Sequence, residues 1–395
     1  MAVTSLAAIG KQDTFLNSSK VNESFFNPLC YKRHTDFVTS FISHEKTGDS
    51  NTWPFGSTVD FYIDPSASGD MLAGTWLKCS LPGSSDQYCS NVGHAMIRSI
   101  SVSVDGTQVD RITSDWMLIH RELFLSDSDK NAIKTLINGT ELFIPLYLFF
   151  SRDHNTIADA HYMISDKFKK PFFPLCAMYN QKLKISIDFQ NIPFFSNTAD
   201  DIKIDTLKLI TMEYTLTDQE RLYYKNQTIQ ELINVVGIQP VMKVPANSNT
   251  FKNLMTNPYP VKSLHWFLRR VDYETDSSNT NFENRFTFST DMTDAEIRLN
   301  GTEASSFGGK QKLYKYLQPY EHHLSSPANE IYTYSFSISP KNPQPMGTVD
   351  IAVMDHSTTY IYGKVTNTDD LNMHLFYMNN ALIEFKDGFC RLLFA

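Results

Sequence analysis

Alternation of apolar and polar positions recurs along nearly the whole chain, and Ile331–Met354 shows it most plainly. Tyr332, Tyr334, Phe336 and Ile338 fall on one side, with Thr333, Ser335, Ser337 and Ser339 on the other. A period of two built from aromatic and β-branched residues marks a half-buried strand. Pro340, Pro343, Pro345 and Gly347 follow at once, a density that neither a helix interior nor a central strand tolerates. Alternation then resumes through Val349, Ile351 and Val353. The pattern predicts two core strands joined by a rigid, proline-rich loop.

Similar runs predict strands upstream, beginning with Phe25–Phe41, which is entered through Pro28. Ser57–Asp64, Gly74–Pro82, Met96–Val104 and Gln108–Thr113 follow. Asp105-Gly106 lies between the last two and is a strong hairpin signal, because both central positions of a tight hairpin turn favour positive φ. The period changes over Ser114–Leu125, where Trp116, Ile119, His120 and Leu123 share one helical face. A second helix is expected over Ser128–Ile137, between a Ser-x-x-Asn start and Asn138-Gly139. Glu141–Arg152 is apolar almost throughout, as in a strand buried on both faces. Lys182–Phe189 and Ile202–Thr215 alternate again, and Thr217-x-x-Glu220 reads as a capping box.

The second half repeats the theme with strands over Leu264–Tyr273, Ala295–Gly301, Thr358–Val365, Leu371–Met378, Asn380–Lys386 and Phe389–Phe394. The last two are expected to pair across Asp387-Gly388. The class is therefore all-β. Residues 1–24 read as an arm, 25–216 as a first domain, 217–238 as a linker with a short helix, and 239–395 as a second domain. No residue-level repeat aligns the two halves.

Composition narrows the function classes. A chain of 395 residues suits two domains of about 200 residues each. A net charge of -8 argues against a nucleic-acid groove as the main business, since phosphate binding needs a basic footprint. Cys30, Cys79, Cys89, Cys176 and Cys390 are odd in number and widely spaced, which fits free thiols in a reducing compartment. The first ten residues lack the basic start of a secretory signal. The longest apolar run, Leu142–Phe150, is far short of the ~20 residues of a membrane helix. A soluble, cytosolically made protein is expected.

The search for chemistry yields no site. His322-His323 are adjacent, so on a strand they would face opposite ways, a poor chelate. Cys79, Cys89 and His94 lack the paired spacing of a structural zinc site. Asp355-His356-Ser357 holds triad residue types, but consecutive residues cannot form the nucleophile, base and orienter geometry. No phosphate loop, nucleophile elbow or His-Glu-x-x-His motif occurs. Lys167–Lys170, with Phe168 inside it, is the densest basic run and reads as a solvated loop or a subunit contact. Sequons stand at Asn17, Asn22, Asn138, Asn226 and Asn300. No catalytic, cofactor-binding or metal residue is assigned, and no cofactor is expected.

Several strings, in order, resemble the major capsid proteins of icosahedral nucleocytoplasmic large DNA viruses (phycodnaviruses, iridoviruses and relatives). YKRHTDF at Tyr31–Phe37 resembles that family's opening strand, and Ser68-Gly69-Asp70-Met71-Leu72 resembles one of its turns. ELFIPLYLFFSR at Glu141–Arg152, Glu213-Tyr214 with Gln219-Glu220-Arg221, LHWFLRRVDY at Leu264–Tyr273 and AEIRLNG at Ala295–Gly301 match further family strings. Tyr316–His323 resembles a family link, and Tyr334–Gly347 the family's C-terminal signature. The resemblance implies two tandem eight-stranded antiparallel jelly rolls with short helices in the loops. It also implies a homotrimer whose six jelly rolls form a pseudo-hexagonal capsomer in the shell of a large double-stranded DNA virus. Partners would be neighbouring capsomers, minor capsid and penton proteins and, through minor proteins, an inner membrane, without direct nucleic-acid contact. The protein would reside in the virion after synthesis and assembly in host cytoplasm. Met346 stands where the family signature has Ser, and Asp350–Asp355 and Lys386–Ala395 also depart from it. A minor or paralogous capsid component, a scaffold protein, and a glycan-binding jelly-roll lectin therefore stay open as alternatives.

Overall fold

The computed structural model describes residues 35–46, 53–151, 172–198, 202–204, 206–275, 281–304 and 310–393. The expected arm, Cys30, most of the YKRHTDF string, the Lys167–Lys170 run and Phe394 lie outside them.

The first half holds eight main strands: β1 (Phe37–Glu45), β2 (Thr58–Ile63), β3 (Met71–Ser80), β4 (Ile97–Val104), β5 (Thr107–Thr113), β6 (Glu141–Pro145), β7 (Leu183–Phe189) and β8 (Thr206–Leu216). They form two antiparallel sheets, β1-β8-β3-β6 and β2-β7-β4-β5. Strict alternation in β7 puts Leu183, Ile185, Ile187 and Phe189 inside while Lys184, Ser186 and Asp188 stay half-buried. Facing them across the sandwich, β3 buries Leu77 and Cys79. Two helices follow β5: α1 (Ser114–Phe124) and α2 (Asp127–Leu136). A third, α3 (Asp218–Asn226), follows β8.

The second half holds β9 (Ile229–Ile238), β10 (Thr250–Leu254), β11 (Pro260–Arg270), β12 (Met292–Leu299), β13 (Thr302–Glu303), β14 (Tyr332–Ser335), β15 (Tyr360–Val365), β16 (Leu371–Lys386) and β17 (Phe389–Leu392). Its sheets run β9-β16-β11-β14 and β10-β15-β12-β13, with β17 added beside β16. Numbered within each half, both sandwiches read 1-8-3-6 over 2-7-4-5. That is one jelly-roll topology built twice, by sequences that share no alignable repeat.

Hairpin chemistry held where it is local. Asp105-Gly106 has φ of 50° and 88°, and Asp387-Gly388 has 53° and 84°. Asn300-Gly301, with 49° and 77°, turns β12 into β13 in the same way. Other expectations are corrected. The Ile331–Ile338 strand stops at Ser335, because the amides of Phe336 and Ser337 both donate to the Lys262 carbonyl and the chain leaves the sheet. Ile338 is consequently 77% exposed. Past the prolines, only Val349 and Asp350 pair; Asp350 then caps a single 3-10 turn by accepting from the Ala352 amide, leaving Val353 exposed.

Both pieces pair with the same strand, since Ser335 lies opposite Ser263 and Val349 opposite Val261. The proline-rich segment is therefore an excursion from one interrupted strand, not a link between two. The Glu141–Arg152 strand ends at Pro145, although burial continues through Leu146, Leu148, Phe149 and Phe150. Helix α2 starts earlier than expected because Ser126, not Ser128, accepts from the Asp129 amide. Thr217 occupies the N-cap of α3 without a side-chain cap bond; Arg221 instead ties that helix to Asp70, at 2.7 Å. Leu371–Met378 and Asn380–Lys386 are one continuous strand. Ile229–Ile238, within the segment read as linker, pairs along its whole length with β16.

Candidate functional site

The residues weighed for chemistry do not converge. His322 Nδ1 lies 3.1 Å from the Ile338 carbonyl and His323 Nε2 lies 3.2 Å from Thr333 Oγ1, so the adjacent rings serve separate bonds. Cys79, Cys89, Cys176 and Cys390 are buried free thiols. Burial pushes Cys79 well up and Cys89 to about 12, away from the thiolate a metal would need. Among the described residues, no three His, Cys, Asp or Glu side chains gather to hold a metal. Asp355 and Ser357 bond within one exposed turn, Ser357 donating both its amide and its hydroxyl to Asp355 Oδ1. Of the sequons, Asn138 is engaged at both ends of its amide, accepting from the Asn91 amide and donating to the Lys134 carbonyl. Asn226 is exposed at the end of α3, while Asn17 and Asn22 lie outside the described residues.

What the chain does assemble is a seam between its two sandwiches. Its centre is α1, opened by Thr113 capping the Trp116 amide. An amphipathic helix buries one face, yet Asp115 through Phe124 are all buried, because the first core takes one side and the second sandwich the other. Strand β11 is buried on both faces for the same reason. Leu264, Trp266 and Leu268 point into the second core; Ser263, His265, Phe267 and Arg269 point at the seam. Trp116 contacts His265 and Phe376 at ring separations of 5.5 and 6.0 Å. Further along, Phe173 meets Phe385 at 5.3 Å.

A charged cluster lies within this apolar seam. Arg269 grips Asp115 with both terminal nitrogens, at 2.7 and 3.1 Å, and its Nε donates to Glu274 at 2.8 Å. Burial alone would push Glu274 up, but the hydrogen bond from His374 and the Arg269 charge outweigh it and hold the carboxyl at about 2. Bidentate geometry and full pairing are what make a buried ion pair tolerable. Bonds to the backbone complete the join. Ser325 donates to the Glu122 and Leu125 carbonyls, Leu324 N to Leu123 O, and Lys341 Nζ to the Phe124 carbonyl at the C-terminus of α1. From the C-terminal hairpin, the Gly388 carbonyl accepts from the Asn180 amide and the Cys390 amide donates to Gln181.

None of these residues is arranged for catalysis; they join the two sandwiches into one compact unit, Phe37–Ala395. Sequence reasoning marked Trp116 and His120 as helix core but missed Asp115, Arg269 and Glu274, since Asp115 and Arg269 are 154 residues apart in the chain. Apolar runs adjoin Asp115 and Arg269 on one side only, and Glu274 lies in a polar stretch, so no local pattern marks the three as partners.

Comparison with known proteins follows the same lines. The family described as "Major capsid protein N-terminus" matches residues 24–226, more than half of the chain, and "Large eukaryotic DNA virus major capsid protein" matches residues 220–388. A major capsid protein of Pyramimonas orientalis virus is 24% identical, with 97% of this chain and 96% of the relative covered. One from Phaeocystis pouchetii virus is 20% identical with 97% of each covered. In structure, the PBCV-1 capsid protein superposes with a TM-score of 0.76 at 16% identity, covering 94% of this chain and all of the other. The Faustovirus major capsid protein gives 0.72 at 11% identity, over 92% and 93% of the two chains. Both structures carry the double jelly-roll fold derived above from strand order. The chain belongs to the major capsid protein family of large eukaryotic DNA viruses, and it is a structural component of the virion shell.

Proposed function

We propose that the protein works as a homotrimer whose six jelly rolls present a pseudo-hexagonal capsomer to its neighbours in the shell. The observation that carries this reading is the repeated strand order, 1-8-3-6 over 2-7-4-5, in two sandwiches fixed together by an apolar seam. Two similar bodies held rigidly give three copies a near six-fold outline, while a flexible join would not. Exposed apolar side chains support it, since such surface is usually covered in an assembly. Phe37, Val38 and Phe41 on edge strand β1 are 53%, 67% and 67% exposed, and Tyr320 is 78% exposed. Function in this reading lies in surfaces, without a catalytic, cofactor or metal site. The division between the two halves falls after β8, with α3 as the link. Minor capsid and penton proteins, and an inner membrane reached through them, would complete the partners, with assembly in host cytoplasm.

Light scattering on the purified protein tests the trimer. The expected mass is three times the 45.2 kDa of one chain. A stable monomer across the micromolar range would overturn it. Abundance in purified virions separates a major shell component from a minor one.

A further inference from the structure

Four histidines and three other aromatic rings form a continuous chain through the seam. His94 lies 6.0 Å from Tyr147, which stacks on His120 at 4.3 Å. His120 stacks on Phe124 at 5.3 Å. Phe124 in turn meets His265 at 5.7 Å and His323 at 4.9 Å, and those two rings are 5.5 Å apart. Trp116 closes on His265 from the side. His94 and His120 come from the first sandwich, His265 and His323 from the second. Neither half contains the chain without the other.

We propose that this histidine chain is an acid-sensitive latch, which holds the two jelly rolls together while its rings are neutral and loosens the seam when they take up protons.

Among the described residues, the surroundings of His94, His265 and His323 offer an added proton no counter-charge. His265 Nε2 lies 2.9 Å from Ser263 Oγ, and His323 Nε2 lies near Thr333 Oγ1, so both partners are hydroxyls. His94 is fully buried with neither ring nitrogen hydrogen-bonded. Among the described residues, the charged groups facing His94, His265 and His323 are positive or already committed. Arg121 faces His94 and is itself held by Asn91 and Glu122. His322 adjoins His323, and the Lys341 ammonium sits on the Phe124 carbonyl. Glu122 also accepts from the Ala328 amide, while Asp115 and Glu274 are occupied by Arg269. His374 differs from the four, its Nε2 lying 2.6 Å from Glu274.

Burial, reinforced by these positive neighbours, lowers His94 and His323 to about 3 and His265 well below its ordinary value of 6.5. A base whose folded pKa is depressed stabilises the fold fully above its unfolded pKa. That stability is lost as pH falls from 6.5 toward 3, because the unfolded or opened state binds the protons. Glu274, held at about 2, keeps its charge through most of that window and is not the trigger. The second sandwich has a core of its own and the rings lie where the first core meets it, so the first structure to yield is the seam.

Hydrogen exchange on the full chain between about pH 7.5 and 4.5, corrected for intrinsic rates, reads this directly. Protection at α1 and at β11 is expected to fall at least about tenfold on acidification while the β2-β7-β4 sheet keeps its own. Replacing both rings, His265→Phe with His323→Phe, is expected to move that loss down by about one pH unit or more. Seam and sheet losing protection together, or the double variant keeping the wild-type profile, would overturn the latch. Should the variant not fold, C2-hydrogen exchange on the wild-type histidines decides: ring pKa values below about 5 for His265 and His323 support the proposal, and values at or above about 6.5 sink it.

Discussion

Lys262 has no exposed surface, and among the described residues no carboxylate lies within ion-pair range of its ammonium. It donates instead to Asn234 Oδ1 at 2.9 Å and to the Asn342 carbonyl beneath the proline-rich excursion. Burial pushes it from 10.5 down to about 7. The unfolded chain therefore binds the extra proton between those values, so wild-type stability should rise with pH from about 7 to 10.5. Lys262→Met should remove that rise, by an amount of order a few kcal/mol, seen as converging urea midpoints of the two proteins at high pH. Equal pH dependence in both would refute the assignment. Nothing in the sequence flags this lysine, because its environment comes from Asn234 and Asn342, remote in the chain. The Asp105-Gly106 and Asp387-Gly388 turns were legible for the opposite reason: two adjacent residues carry the whole conformational requirement.

Elements were legible where one face or one turn defines them, and misread where a distant partner does. The alternation through Ile338 and Val353 is real in the sequence, but the register with β11 skips from Ser335 to Val349, and both side chains end in solvent. Helix α1 was found by period, yet its second buried side exists only because another sandwich covers it. The excursion itself should be among the less mobile loops. Its base is bonded to Lys262 O, Ile338 N donates to Met346 O, and Asn234 donates to the Lys341 carbonyl. Gly347 sits at φ 109°, and a Cβ there would come within 2.7 Å of the Phe336 carbonyl oxygen. Gly347→Ala is expected to cost about 1–3 kcal/mol in chemical denaturation. An unchanged midpoint would mean that the loop can shift freely. At the other end of the sheet, Phe389 is half exposed, so β17 buries less than the sequence suggests. Deleting residues 391–395 nevertheless removes the Leu392–Ile383 pairing, the Arg391–Glu384 ion pair and the Leu393 amide bond to Leu382. It should abolish soluble trimer, measured by size and thermal melting, whereas removing residues 1–10 should leave the melting unchanged.

For the whole molecule, the all-β class could be read from the strand patterns and the duplication from matching strand count and length together with the family resemblance, while the strand order and the seam could not. The seam joins residues such as Asp115 and Arg269, 154 positions apart, and no local pattern encodes which surfaces meet. Shell building needs that junction to be stiff, since any play between the sandwiches would spread over every contact a capsomer makes. The interrupted strand has a consequence of its own. Its two halves dock on Val261 and Ser263, almost next to each other, while Gln344 and Pro345 stand exposed between. Extra residues spliced between Gln344 and Pro345 would lengthen the outward projection without moving one ladder bond in the sheet. Such a site lets a lineage enlarge or vary one exposed loop while the sandwich beneath keeps its dimensions.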